Sequence, residues 1–246
     1  MKRILIVLIY MILLLPFSIA YAVTGRDLID RANSIAKPDT AVSELKMLIH
    51  KEKRTTEKIF TVDTKIFNGN ERKTLVAFLK PTRIKLLTVS HKSREDDQWL
   101  RMSGGRIKRI TTSTKNKPFV NSHFTYEDMI SRNIDHYSYK RLKDAKVSGE
   151  LCYRVKSTKT KGRRIYDKTV LYIRTKDYFI IRVDFYRDGK FLKYLANYNI
   201  KKTGGIITPY KIVMTSATKG RTELFIRKIQ YNVPVNDSKF RKESLR

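Results

Sequence analysis

Seven alternating apolar/polar runs in the second half of the chain, joined by very short connections, restrict the fold more than any other feature. They are Tyr137 to Leu142, Leu151 to Val155, Val170 to Arg174, Phe179 to Tyr186, Phe191 to Ile200, Ile206 to Thr215 and Thr222 to Tyr231. The connections include Thr175-Lys176-Asp177, Asp188-Gly189, Gly204-Gly205 and Lys219-Gly220. A parallel crossover needs about a dozen residues or more, so such links force antiparallel neighbours. The first half adds Leu45, Met47 and Ile49, then Phe60, Val62 and Ile66, then Leu75 to Leu79 after the turn Asn68-Gly69-Asn70. Lys80-Pro81-Thr82-Arg83 interrupts before Ile84 to Val89. The pattern predicts a mainly β fold: a meander of roughly eleven to thirteen antiparallel strands, a size at which a twisted open sheet curls.

Two strands in this series predict distinct faces. Phe179, Ile181, Val183 and Phe185 alternate against Arg182 and Asp184, and Leu192, Tyr194, Ala196, Tyr198 and Ile200 against Lys193 and Asn197. One face apolar and the other charged is the pattern of a sheet packed on one side. Little helix is available to cover it, so part of the apolar face is expected to remain as a cavity; a barrel filled by its own side chains is the competing reading.

Between the two halves lies Asp96-Asp97-Gln98-Trp99-Leu100-Arg101-Met102, then Ser103-Gly104-Gly105, then Arg106-Ile107-Lys108-Arg109-Ile110. Alternating runs around a glycine pair read as a hairpin. A two-residue Gly104-Gly105 turn would set Met102 opposite Ile107 and Trp99 opposite Ile110. A polar loop leads to Phe119 and then to His123-Phe124-Thr125-Tyr126-Glu127-Asp128-Met129, where Thr125 with Asp128 makes a capping box for a short helix. Hairpin, loop and helical cover in succession describe a sheet with a lid.

The Asp-Asp-Gln-Trp-Leu segment at 96–100, its glycine turn, Arg-Ile-Lys-Arg-Ile and the following Phe-Thr-Tyr-Glu-Asp resemble the LolA-like outer membrane lipoprotein-sorting proteins. The resemblance extends to Leu151-Cys152-Tyr153-Arg154-Val155 and Asp237-Ser238-Lys239-Phe240, and so covers nearly all of residues 23–246. It implies a periplasmic carrier with an open β half-barrel of about 11 strands, helices over its mouth and no catalytic residues. In lipoprotein carriers of this type a buried arginine latches the lid; no arginine in this sequence is assignable to that role.

The chain begins with Lys2 and Arg3, an apolar run from Ile4 to Leu15, Pro16, and Ala20-Tyr21-Ala22. This is the layout of a secretory signal peptide over 1–22. An uncleaved anchor is the alternative, though the run falls short of the ~20 apolar residues a membrane span needs. Residues 23–246 are expected to form one domain. They open with a helix of about four turns: Thr24 and Asp27 form its capping pair, Leu28, Ile29, Ala32, Ile35 and Ala36 its apolar stripe, and Pro38 lies beyond. Cys152 is the only cysteine. It excludes an intrachain disulfide and is expected as a buried apolar residue.

Formal net charge is +30 across the 246 residues, or about +28 without Lys2 and Arg3. A charge of this size favours phosphate-rich partners such as lipid headgroups or lipopolysaccharide. Export argues against nucleic acid. The expected apolar ligand contacts are Trp99, Leu100, Met102, Phe119, Phe124, Tyr126, Phe179, Ile181, Val183, Phe185, Leu192 and Tyr194. Trp99 stands equally well as core. Lys115, Lys117, Lys159, Lys161, Arg163 and Arg164 are the expected membrane or partner contacts, with a solvated loop and a solvated hairpin tip as alternatives.

His50, His91, His123 and His136 lack metal-ligand spacing, and Asp96-Asp97 would point to opposite faces of a strand. No phosphate-cradling glycine loop or nucleophile elbow occurs. Neither catalysis nor a cofactor is expected. The expected function is a monomeric periplasmic carrier of an acylated or apolar cargo, lipoprotein or lipid, working with an inner-membrane exporter and an anionic membrane surface. A sensor of RseB type and an envelope polyanion-binding protein are the alternatives.

Overall fold

The structure is a computed structural model that describes residues 23–67, 71–92, 94–162 and 165–246. The segment expected as a signal peptide, the Asn68-Gly69-Asn70 turn and Arg163-Arg164 lie outside the described residues.

The first element is helix α1, Gly25–Asn33. Its capping box forms as predicted: the Asp27 amide donates to Thr24 Oγ1 at 3.1 Å, and the Asp27 carboxylate accepts from the Thr24 amide at 2.9 Å. It ends earlier than expected, leaving Ile35 and Ala36 outside. Asn33 and Ser34 follow the stripe, and the Ser34 hydroxyl donates to the Arg31 carbonyl at 2.9 Å, the local competition that favours helix ends. Leu28 and Ile29 pack with Val155, Leu171 and Ile173. A Cβ on Gly25 would stand 2.9 Å from the Arg141 amide nitrogen, so only glycine lets the helix start against the sheet backbone.

Thirteen strands follow among the described residues. They are β1 Thr40–Lys51, β2 Arg54–Phe67, β3 Glu71–Lys80, β4 Lys85–Ser90, β5 Asp97–Arg101, β6 Ile107–Arg109, β7 Tyr137–Val147, β8 Glu150–Lys159, β9 Lys168–Arg174, β10 Ile180–Arg187, β11 Lys190–Thr203, β12 Ile206–Ser216 and β13 Arg221–Tyr231. All the pairings are antiparallel, in one open sheet that is not closed into a barrel.

The order is not one continuous meander. It runs β6-β5-β4-β3-β2-β1-β13-β12-β11-β10-β9-β8-β7. The first strand pairs with the last, Ala41 opposite Tyr231 and His50 opposite Arg221. Strands β6 and β7, consecutive in the chain, therefore become the two edges of the sheet. The segment between them, residues 110–136, must cross from one edge to the other.

The hairpin register differs from the expectation by one residue. Trp99 pairs with Arg109, Leu100 with Lys108 and Arg101 with Ile107. The loop is five residues rather than two: only Gly104 is left-handed, at φ +66°, and the Gly105 amide closes a turn on the Met102 carbonyl at 3.0 Å. Met102 falls in that loop and is 49% exposed. A one-residue slip exchanges faces: Ile110, expected opposite Trp99, lies on the lid face, while Trp99, paired with Leu87, lies on the face away from the lid. The row Leu75–Leu87–Trp99 lies on that outer face, and the row Val76–Leu86–Leu100 on the lid face.

This half of the sheet is apolar on both faces. Its outer face is covered by the C-terminal segment, whose Val235, Phe240 and Leu245 pack on Leu75, Leu87 and Val89. The other half keeps a polar outer face: Arg182 Nε donates to Asp184 at 2.6 Å, Tyr172 Oη does so at 3.0 Å, and the Arg182 guanidinium lies 4.1 Å from the Tyr194 ring centre.

Candidate functional site

Residues 110–136 bring three aromatic side chains onto the lid face. Phe119 is 1% exposed; its ring centre is 5.7 Å from Phe78 and 5.4 Å from Tyr126, within a cluster built on Leu45, Met47, Ile49, Phe60 and Leu86. Phe124 enters a second cluster with Tyr166, Phe185 and Met214. The bend between Phe119 and Phe124 is tight. The Phe119 amide donates to the Phe124 carbonyl at 2.8 Å, and Val120 and Asn121 are left-handed at φ 46° and 63°. For a β-branched residue this is costly, on the order of 1–3 kcal/mol. The lid tip therefore carries backbone strain that its packing must offset.

The capping box at the next turn, the 3-10 helix Tyr126–Met129, also forms: the Thr125 amide donates to the Asp128 carboxylate at 2.7 Å. The same carboxylate accepts from Lys193 Nζ at 2.5 Å and from Tyr166 Oη at 2.8 Å. Lys193 also donates to the His123 carbonyl at 3.2 Å, and its ammonium lies 5.5 Å from the Tyr166 ring centre and 5.4 Å from that of Phe185. Burial pulls the Lys193 pKa below its usual value, and the Asp128 carboxylate opposes the shift. Burial, seconded by Asp128, pushes the Tyr166 phenol up. A lysine on β11 thus fastens the lid.

Two residues of the Asp-Asp-Gln-Trp segment fasten the other side. Asp96 accepts from the Ser131 amide at 2.8 Å and from the Ser90 hydroxyl at 2.7 Å. The Gln98 side chain, fully buried, donates to the Tyr126 carbonyl at 3.2 Å. Asp97 points away, to Arg94 at 2.7 Å, to His91 at 3.1 Å and to Arg109, as the alternation at 96–97 predicted. Burial raises its carboxyl, but the hydrogen bonds from Arg94, Arg109 and His91 outweigh that and hold it below the usual range.

Beside the lid opens a cleft of ≈ 590 Å³. Its walls are the end of the lid segment (Ile130 to Tyr137), the residues after helix α1, the row Ile66–Arg72–Ser90 across β2 to β4, and Lys159 at the end of β8.

The structure divides the expected contacts. Leu100, Phe119, Phe124, Tyr126, Val183, Phe185 and Leu192 meet on the lid face. Trp99 packs on the opposite face, and Met102 stands in solvent. A bulge between Ile180 and Arg182 places Ile180, not Phe179, beside Val183 under helix α1. Phe179 lies against the Arg174 guanidinium at 5.8 Å, while Ile181 is buried at the bulge. On β11 the expected faces are exchanged. Lys193 pairs with Phe185 and Tyr194 with Asp184, so the lysine faces the lid and the tyrosine faces out.

Lys115 is not a loop-surface residue: it is 5% exposed and pairs with Glu95 at 3.1 Å. Lys159 lines the cleft, and Lys117 and Lys161 are exposed. Cys152 is buried, its thiol pushed up to about 11 by desolvation. Sequence reasoning missed Lys193, Asp96 and Gln98 as lid fasteners. Asp96 and Gln98 lie two residues apart and so share one face of an extended backbone, a signal that Asp97 between them and Trp99 after them obscured.

A thirteen-stranded open sheet with one N-terminal helix and an edge-to-edge lid is a LolA-like fold. Three solved structures share it. A DUF1329 family protein from Desulfovibrio piger is 24% identical with a TM-score of 0.85, over 90% of this chain and 98% of its own. A domain from Vibrio parahaemolyticus described as outer membrane lipoprotein-sorting is 26% identical with a TM-score of 0.83, over 90% and 97%. A LolA superfamily protein from Nitrosomonas europaea is 20% identical with a TM-score of 0.70, over 91% and 100%. A family profile described only as "Uncharacterized protein" matches residues 70–246, and the chain belongs to that family. No curated protein matches it.

Proposed function

We propose that this chain is a periplasmic carrier: exported with loss of residues 1–22, it binds an acylated or apolar cargo beneath the lid and moves it from the inner toward the outer membrane. One observation carries the reading. The apolar lid face is filled by Phe119, Phe124 and Tyr126 from a segment that contributes no strand to the sheet. Such a plug can leave without unpairing the sheet, and an acyl chain can take its place. Each buried methylene of that chain contributes ~0.8 kcal/mol, from which displacing the lid aromatics subtracts. The competition keeps affinity moderate and permits handover to an acceptor. The Vibrio neighbour's description as lipoprotein-sorting supports the class of role, and lipids handled beside an inner-membrane exporter fit the same face.

A lid locked shut tests this. The Ser131 hydroxyl donates to Ser90 Oγ at 2.9 Å, close enough for the paired variant Ser90→Cys/Ser131→Cys to form a disulfide. A fluorescent fatty-acyl probe should bind the reduced variant and be excluded from the oxidised one. Equal binding by both forms, or none by the reduced form, would sink the carrier reading.

A further inference from the structure

The cleft beside the lid carries more positive charge than its own structure uses. Seven lysines and arginines line it against four aspartates and glutamates. Three of the carboxylates are already engaged: Glu95 with Lys115, Asp135 with Arg26 at 2.8 Å, and Asp96 with Ser90 and Ser131. Glu127 is the fourth, half-buried in the lid wall; desolvation raises its pKa, and the charges of Lys159, Lys115 and Arg132 oppose that shift without forming an ion pair within 4.0 Å. Lys37, Arg72, Arg132 and Lys159 have no carboxylate within 4.0 Å among the described residues. Among the described residues the Lys37 ammonium donates to Asn33 at 2.7 Å, and Arg132 donates to Thr169 Oγ1 at 3.0 Å.

Holding cations together without partners costs stability. Burial depresses both Arg72 and Lys37, and the charge of Arg72 depresses Lys37 further. A fold retains such a cluster when an anion from outside completes it. The walls narrow the choice of anion. Ile66, Ile130, Ile134 and Ile165 share them, and a bare phosphate needs neither apolar walls nor ≈ 590 Å³. Ile165 belongs also to the cluster of Phe124, Phe185 and Met214, so the cleft meets the space that the lid aromatics occupy.

We propose that the cleft binds the phosphate of an anionic lipid headgroup through Arg72, Arg132, Lys37 and Lys159, while the acyl part passes Ile165 and enters beneath the lid. This inference rests on the carrier reading and adds the headgroup class. Arginine supplies a planar fork suited to phosphate oxygens, and the lysines supply point charge.

The test is calorimetric titration of the exported protein with three probes: dihexanoyl phosphatidylglycerol below its micellar concentration, dihexanoylglycerol and inorganic phosphate. The phosphatidylglycerol should bind most tightly. Arg72→Gln/Arg132→Gln should weaken it about tenfold or more, since charge-assisted contacts are lost, and leave dihexanoylglycerol unchanged. The melting temperature should hold or rise, because unpaired cations are removed. Should that variant fail to fold, Lys37→Gln/Lys159→Gln decides, with a smaller loss in the same direction. Unchanged phosphatidylglycerol affinity in the folded variants overturns the site, as does dihexanoylglycerol binding as tightly as phosphatidylglycerol. Inorganic phosphate binding as tightly as the lipid overturns the lipid source. If neither lipid binds while phosphate still depends on Arg72, the carrier reading falls with the lipid source and only an anion site remains.

Discussion

Besides helix α1, two segments without strands cover this sheet, and they are held in different ways. The C-terminal segment lies on the outer face with Val235, Phe240 and Leu245 inserted, and each of its ion pairs has an exposed partner on the segment itself: Asp237 with Lys65 at 2.6 Å and Lys239 with the buried Asp63 at 2.9 Å, beside the contact of Lys85 to the Ser244 carbonyl at 2.7 Å. The lid inserts aromatics too, but both members of its central ion pair are buried, as is the Gln98 amide that holds Tyr126. Lys193 and Asp128 keep 9% and 2% of their side-chain surfaces exposed. A buried pair is weak stabilisation against an apolar replacement, yet losing one partner is severe. Apolar anchorage of this kind suits a permanent cover. A strained tip held by a few directional bonds suits one that opens.

The two largest effects should be equal in size and different in place. Phe240→Ala should cost about 3–5 kcal/mol of global stability, read as a lower denaturation midpoint, with acyl-probe affinity per folded molecule unchanged. Lys193→Met leaves Asp128 buried without its cation and should cost about 3–5 kcal/mol of lid closure. Amide exchange should then accelerate across 119–131 and not in the C-terminal segment. If Lys193→Met slowed lid exchange or Phe240→Ala abolished probe binding, the division between permanent and openable cover would fail.

A second pair is smaller. Gln98→Leu leaves the Tyr126 carbonyl without its donor and should cost about 1–3 kcal/mol of closure by the same exchange measurement. Asp237→Asn breaks an exposed pair on the other cover and should cost at most about 1 kcal/mol in denaturant unfolding. A larger loss from Asp237→Asn than from Gln98→Leu would reverse the comparison.

Smallest is a pH effect confined to the lid. The His123 ring meets the Thr222 hydroxyl at 2.8 Å and the Lys219 carbonyl at 2.9 Å, and burial depresses its pKa below 6.5. The open form then binds its proton first as pH falls. The contribution to closure is complete above about 6.5 and is lost through the depressed value. Glu127, raised by burial, has the opposite sign: its closed form is favoured below its raised value and that advantage is lost as pH rises through it. Lid exchange measured from pH 7.5 to 5 in His123→Gln and Glu127→Gln should separate the two. Identical profiles in His123→Gln and the parent chain would remove His123 from lid control.

Much of this was legible in the chain. Alternation and short turns placed the strands, and Thr24 with Asp27 and Thr125 with Asp128 marked both caps. Phe119, Phe124 and Tyr126 were identifiable as lid aromatics because they follow a hairpin in a segment with no strand pattern. Two face assignments differ from the structure for one reason. Phe179 and Tyr194 were assigned to a face by counting along regular strands, and the irregularities at Ile180/Arg182 and at Phe185/Tyr186 shift that count by one; Trp99 stood equally as core, and its pairing with Leu87 puts it there, on the outer face.

The sequence by itself determined the local facts: antiparallel neighbours, caps, the lid aromatics and a buried lone cysteine. Each depends on hydrogen bonds and periodicity within about a dozen residues. Only the tertiary structure decided that β1 closes on β13, which makes β6 and β7 the edges and turns their connection into a lid. It alone joined Lys193 to Asp128 across 65 residues, laid the C-terminal segment over Trp99, and gathered Lys37, Arg72, Arg132 and Lys159 around one cleft. Partners so far apart in the chain leave no local periodicity. Their meeting is set by which strands pair, and that choice belongs to the whole sheet.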